Sequence, residues 1–241
     1  MPNTPYEPMS QLRRMIAAMP EKTVISDYVQ DGLVLAYDGY QAPSGGVWKD
    51  LSPSHNHMAL GSDATYNTTD HCLNFGSSNG CISTKEVALT GGTALTMECI
   101  FRCTKKQGYV WRTTNTKWPY RPNLALGTFY LIYFDTTQGS AIWNGGYNLN
   151  YPAACQVLIG GGDDVAYSCR CSSGESWGKN KGTLTYDDVS TQMLFGYGTA
   201  GCCDLYALRL YNRKLTDAEI LQNRHLDIER WSLLGSNTDV I

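Results

Sequence analysis

LYALRLYNRKLTDAEILQNRHLDIERW, residues Leu205–Trp231, is the stretch that decides the fold. Its first half is an apolar and aromatic run with the composition of a strand. Its second half carries a full set of helix-start signals. Thr216 and Glu219 have the T-x-x-E spacing of a capping box, in which each side chain accepts a backbone N–H that the helix start leaves unpaired. Leu215 and Ile220 have the spacing of a hydrophobic staple, and Asp217 sits where the helix dipole favours an anion. The stretch predicts a strand that runs directly into a terminal helix.

Residues Arg209, Tyr211, Asn212, Arg213, Leu215, Thr216, Glu219 and Ile220 follow a pattern close to "LRIYNRALTDEEI". This resembles the closing strand and helix of laminin-G-like, concanavalin A-type jelly-roll domains. Two more segments extend the resemblance. GLVLAYD at Gly32–Asp38 with WKDLS at Trp48–Ser52 looks like the family's opening strand and its W-x-D-x-S segment, although PSHNHMAL replaces the usual glycine and asparagine after it. CLNFGSSNGCIS at Cys72–Ser83 is similar to the hairpin that comes next. The resemblance implies an all-β fold, a two-sheet antiparallel jelly-roll sandwich, concanavalin A-like, with a C-terminal helix; the residues before it add a short N-terminal helix. Its motifs are not catalytic, so they speak for a fold more than for an activity.

Composition agrees with that class. Charged residues make up 17% of the chain, and 24 glycines with 16 tyrosines suit a turn-rich, aromatic-rich β protein. A formal charge of −3 gives no electrostatic footprint for nucleic acid, and no apolar run approaches the ~20 residues of a membrane span. The start of the chain, broken by Arg13 and Arg14, does not read as a signal peptide. Reduced thiols are then the default for the nine cysteines. A sugar-binding type of fold made in the cytoplasm without an export signal suggests display on a phage particle released by lysis.

Three regions divide the chain. Residues 1–30 form an extension in which Leu12, Met15, Ile16 and Met19 make one apolar stripe on a short helix. That stripe either packs on the sandwich or docks a protein partner or a second copy of the chain. Residues 31–232 form the jelly roll, and 233–241 a tail. Thr93–Cys103 alternates clearly: Leu95, Met97, Cys99, Phe101 and Cys103 share the core face, while Thr96, Glu98 and Arg102 mark the other, with Glu98 read as an exposed strand residue. Further strands are expected at Phe129–Phe134, Gln156–Ile159 and Gln192–Tyr197, separated by turn signals such as Gly145-Gly146.

Jelly-roll glycoside hydrolases carry paired acids at E-x-D-x-E spacing, which alternation places on one face at the separation that glycoside cleavage needs. After Glu98 the corresponding positions hold Ile100 and Arg102, so a non-catalytic domain is expected. His55 and His57 form an H-x-H pair without a clear third ligand. The resemblance also makes a structural calcium a candidate; it would need about six to eight oxygens. Asp38, Asp50, Asp163 and Asp204 are available for it.

The strongest binding signal is aromatic and polar residues crowded into expected loops: WRTTNTKWPYR at Trp111–Arg121, WNGGYNLNY at Trp143–Tyr151, and Trp177 in SSGESWGKNKG. Flat rings stack on the C–H faces of sugars while Asn and Arg hydrogen-bond the hydroxyls. Trp118, Tyr120, Trp143 and Tyr147, with Arg121 and Asn144 as polar partners, form the candidate site for a glycan or cell-surface polysaccharide. The expected function is lectin-like recognition within a larger surface or phage-particle assembly. The alternative is a virion adhesion component that binds protein.

Overall fold

The structure, a computed structural model, describes residues 24–76, 81–89, 95–103, 108–114, 123–126, 132–136, 139–143, 152–159, 165–171, 176–180, 189–196 and 203–231. The expected N-terminal helix and the 233–241 tail lie outside these. A short 3₁₀ turn, Val24–Asp27, leads into the strands. They are β1 Leu33–Asp38, β2 Val47–Trp48, β3 Met58–Ala59, β4 Thr65–Asn67, β5 Cys72–Asn74, β6 Cys81–Ser83, β7 Val87–Leu89, β8 Leu95–Cys103 and β9 Gly108–Thr113. The second half adds β10 Asn123–Leu126, β11 Ile132–Thr136, β12 Gly139–Trp143, β13 Pro152–Ile159, β14 Val165–Cys171, β15 Ser176–Asn180, β16 Val189–Thr191, β17 Met193–Phe195 and β18 Cys203–Tyr211. Helix α1, Asp217–Arg230, ends the described chain.

The strands build an all-β sandwich of antiparallel sheets. The first sheet runs β15-β14-β13-β8-β18-β5-β4, with β1 also paired to β18; the second runs β12-β11-β10-β9-β17-β6-β3-β2. Aromatic rings bridge them: Tyr37 of β1 stacks on Trp48 of β2 at 5.8 Å and meets Phe195 of β17 edge-on at 5.6 Å. Phe75 lies over Gly196, whose φ of +68° and lack of a Cβ are both required, since a Cβ there would come within 2.2 Å of Phe75. CLNFGSSNGCIS departs from the hairpin expectation, because β5 pairs in the first sheet with β18 and β6 pairs in the second with β17. The segment therefore crosses between the sheets.

Met97, Cys99 and Phe101 are buried, as the alternation of β8 requires, but the opposite face is buried too. Glu98 is only 2% exposed, which corrects its reading as a surface residue. Helix α1 lies along that face and is read off by it from end to end. Thr96 Oγ1 donates to Arg213 O and accepts from Leu215 N, Glu98 meets Asn223 in the middle, and Ile100 clusters with Trp231 at the far end.

The capping box forms as expected. Thr216 N donates to Glu219 Oε2 at 2.8 Å, Glu219 N donates back to Thr216 Oγ1, and Leu215 and Ile220 share one buried cluster. The Arg213 guanidinium, followed by the Thr216 N–H, holds the Glu219 carboxyl at about 2. Because this pKa is depressed, its contribution to stability is present above the ordinary carboxylate value near ~4.3 and is lost as pH falls toward about 2. Thr216→Ala should cost about 1 kcal/mol in urea unfolding at neutral pH. An unchanged midpoint would mean the cap contributes nothing beyond the packing of Leu215 and Ile220.

Candidate functional site

One end of the second sheet is assembled by a relay of hydrogen bonds. It starts at Asp50, the acid of the W-x-D-x-S segment, which is almost fully buried. Asp50 Oδ1 accepts from Ala36 N and Ser52 N, and Oδ2 accepts from Ser52 Oγ and Asn56 N. Asn56 then pairs with the backbone of Lys85 in both directions. Ser83 and Lys85 connect onward, as Ser83 Oγ accepts from Met193 N and Gln192 Nε2 donates to Ser83 O. Finally Thr114 N donates to Gln192 O, fixing the end of β9.

A single cross-strand row runs through this sheet, on its outer face over Val47, Ala59, Ile82, Leu194 and Arg112, and continues in register through Asn123, Asp135 and Ser140, each residue opposite the next. Neighbours that alternate with it, among them Trp48, Met58, Phe195 and Trp111, are buried in the sandwich, whereas Val47, Ala59, Ile82, Leu194 and Arg112 are half-buried. The row is thus apolar over one half and polar over the other. Arg112 also lies 5.8 Å over the ring of Tyr109, and Tyr109 stands in register with Ala125, Tyr133 and Ile142. Charged, amide, hydroxyl and aromatic residues therefore occupy adjacent positions of two rows. That is the mixture a shallow polyol site requires.

The aromatic-rich segments relate to this face differently. Trp118, Tyr120, Arg121, Asn144 and Tyr147 lie outside the described residues, and Trp143 is the last residue of β12. The strands nevertheless fix where each segment starts. β9 ends, and β10 begins, at the level of Arg112 and Asn123. Trp143 stands opposite Ile132 at the other end of the same meander. β9 and β12 therefore end at opposite ends of the meander. Trp111 is a buried strand residue and Trp177 belongs to β15, where loops were expected.

The acids considered for calcium have protein partners. Asp38 pairs with Arg230 at 2.9 Å, Asp204 takes Arg102 and Asn74, and Asp50 is saturated as described; Asp163 lies outside the described residues. His57 Nδ1 accepts from Asp50 N, so the H-x-H pair is tied into the relay, with ring centroids 6.3 Å apart. Among the described residues no group of three or more His, Cys, Asp and Glu side chains could hold a metal ion, and no helix is long and apolar enough to cross a membrane.

Comparison with known proteins places this architecture. No protein-family model matches the chain, and no curated protein matches it by sequence. Solved structures do. The binding domain of botulinum neurotoxin serotype G superposes with a TM-score of 0.60 at 11% identity, over 80% of this chain and 51% of that one. The binding domain of Paraclostridial Mosquitocidal Protein 1 gives 0.59 at 11%, over 82% and 53%. Trypanosoma rangeli sialidase in complex with sialic acid gives 0.58 at 12%, over 96% and 40%. The chain spans about half the length of these structures or less. At such identities the likeness shows a shared β-sandwich fold.

Proposed function

We propose that this chain is a lectin-like, non-catalytic recognition module of the concanavalin A type. Its glycan site is the polar half of the outer row on the second sheet, completed by Trp118, Tyr120 and Arg121 of the 115–122 connection. The observation that carries this reading is the row Arg112–Asn123–Asp135–Ser140, a line of hydrogen-bonding residues built by four successive strands of one meander. Similarity in fold to toxin binding domains, one of them captured with SialylT, supports a glycan as the partner. Asp135 is the one carboxylate of this row, so the row does not offer the pair of acids that most glycosidases use, and the reading is of binding.

The experiment is a glycan array on the purified chain, followed by titration of the best ligand with single variants. Trp118→Ala should weaken binding roughly 5- to 150-fold, the range for one lost stacking ring, and Arg112→Ala should also weaken it. Trp143→Ala, at the opposite end of the meander, should leave affinity unchanged. The reverse pattern would relocate the site, and hydrolysis of the bound glycan would replace recognition with catalysis.

A further inference from the structure

The cysteines are placed by register. On β8, Cys99 stands opposite Cys155 of β13, and Cys103 stands opposite Cys203 of β18, so the strand meets a cysteine on each side. Cys155 in turn stands opposite Cys169 of β14, making a row of three cysteines across three neighbouring strands. Cys72 and Cys81 make the contrast. They stand opposite Asn67 and Phe195, and burial pushes their thiols up to about 12 and about 11.

Antiparallel pairing makes the row of three asymmetric. A residue in such a sheet exchanges its backbone hydrogen bonds with one neighbour only, so it is a hydrogen-bonded pair on one side and a non-hydrogen-bonded pair on the other. Whichever way Cys155 is phased, one of Cys99 and Cys169 is its non-hydrogen-bonded partner. At that kind of position the Cα atoms are about 4.5 Å apart and the side chains closest, within the range a disulfide accepts. Cys99 and Cys169 are two strand spacings apart, roughly 9.5 Å, and cannot be joined directly.

We propose that the first sheet carries a cross-strand thiol–disulfide site, in which Cys155 closes onto one of its two row neighbours and Cys103 closes onto Cys203, leaving the third cysteine of the row as an exchange partner. The oxidant is a low-molecular-weight disulfide such as oxidised glutathione. One protein thiolate attacks it, giving a mixed disulfide and one glutathione thiolate. The opposed protein thiolate then attacks the protein sulfur, forming the cross-strand bond and releasing the second glutathione. Two protein thiols become one disulfide, and their two protons end on two reduced glutathiones. Because Cys99 and Cys203 are buried, the bonds form as the sheet assembles rather than after it has closed.

The test is to refold the full chain in a glutathione redox buffer. Denatured protein is then alkylated before and after reduction, and the linked peptides are mapped by mass spectrometry. Four of the nine thiols should be protected until reduction, as Cys103–Cys203 and as Cys155 with Cys99 or Cys169. The melting temperature should rise by roughly 5–15 °C over the reduced form, because Cys103–Cys203 closes a loop of about 100 residues and Cys155 closes one of about 55 with Cys99 or about 15 with Cys169. Cys155→Ser should protect only the Cys103–Cys203 pair, and Cys203→Ala only the row. Alkylation of all nine thiols without reduction would overturn the proposal. So would bonds between cysteines that are not opposite in register, or a Cys99–Cys169 bond in Cys155→Ser.

Discussion

Arg209→Met should lower the unfolding free energy by about 3–5 kcal/mol, with a fall in Tm of roughly 6–20 °C. Arg209 is 2% exposed on the face of β18 that α1 covers. Its Nε donates to Glu98 Oε2 at 2.8 Å, its Nη2 donates to Asp227 Oδ2, and its guanidinium lies 4.1 Å from the centre of the Tyr28 ring. Tyr28 OH in turn donates to Asp227, and Asn223 donates to Glu98. One cation thus balances two buried carboxylates and ties the segment before β1, the first sheet and the helix together. Burial pushes the Glu98 carboxyl up while Arg209 opposes the shift, so removing the guanidinium leaves two buried acids, Glu98 and Asp227, without the cation between them. Arg209→Lys should recover only part of the loss, since an ammonium cannot reach both acids through a planar fork. In a double-mutant cycle, Glu98→Gln with Arg209→Met should cost less than the sum of the two. Additive losses, or an Arg209→Met loss under 1 kcal/mol, would show that the triad does not act as a unit.

The same residues show what was legible in the sequence. The capping box was readable because its partners are three residues apart, and the core face of β8 because alternation is local. Alternation says which residues share a face but not what covers it. Glu98 was therefore read as exposed, when the helix that buries it lies more than a hundred positions later. The aromatic run at Trp111 was read as a loop because Thr and Asn follow it, while its strand partners, Asn123 onward and Met193–Phe195, are not neighbours in sequence. CLNFGSSNGCIS carries a genuine turn signal, yet sheet membership is decided by β17 and β18. The row that ends in Arg112, Asn123, Asp135 and Ser140 could not be found from any one segment. It exists only once seven pairings are in register.

Asp50→Ala should be nearly as damaging, at about 3–5 kcal/mol, and should also reach the proposed glycan site. Truncation leaves three backbone N–H groups, those of Ala36, Ser52 and Asn56, and the Ser52 hydroxyl without their acceptor. Each such orphan costs about 1–3 kcal/mol when buried, and the sum is reduced by water entering the vacated volume. Asp50→Asn should lose less, about 2–3 kcal/mol, because one carbonyl oxygen remains while an NH₂ now faces a donor. The second consequence follows from the relay. Asn56 is fixed by Asp50, Lys85 by Asn56, and Gln192 and Thr114 follow through Ser83, so releasing the first link loosens the anchor of the 115–122 connection. Titration at a temperature where both proteins remain folded should therefore show weaker glycan binding for Asp50→Ala than for the parent. Trp143→Ala under the same conditions should bind as the parent does. A destabilised Asp50→Ala protein with full affinity would separate the two ends of the argument, leaving the relay as a structural brace and placing the glycan elsewhere than beside Arg112.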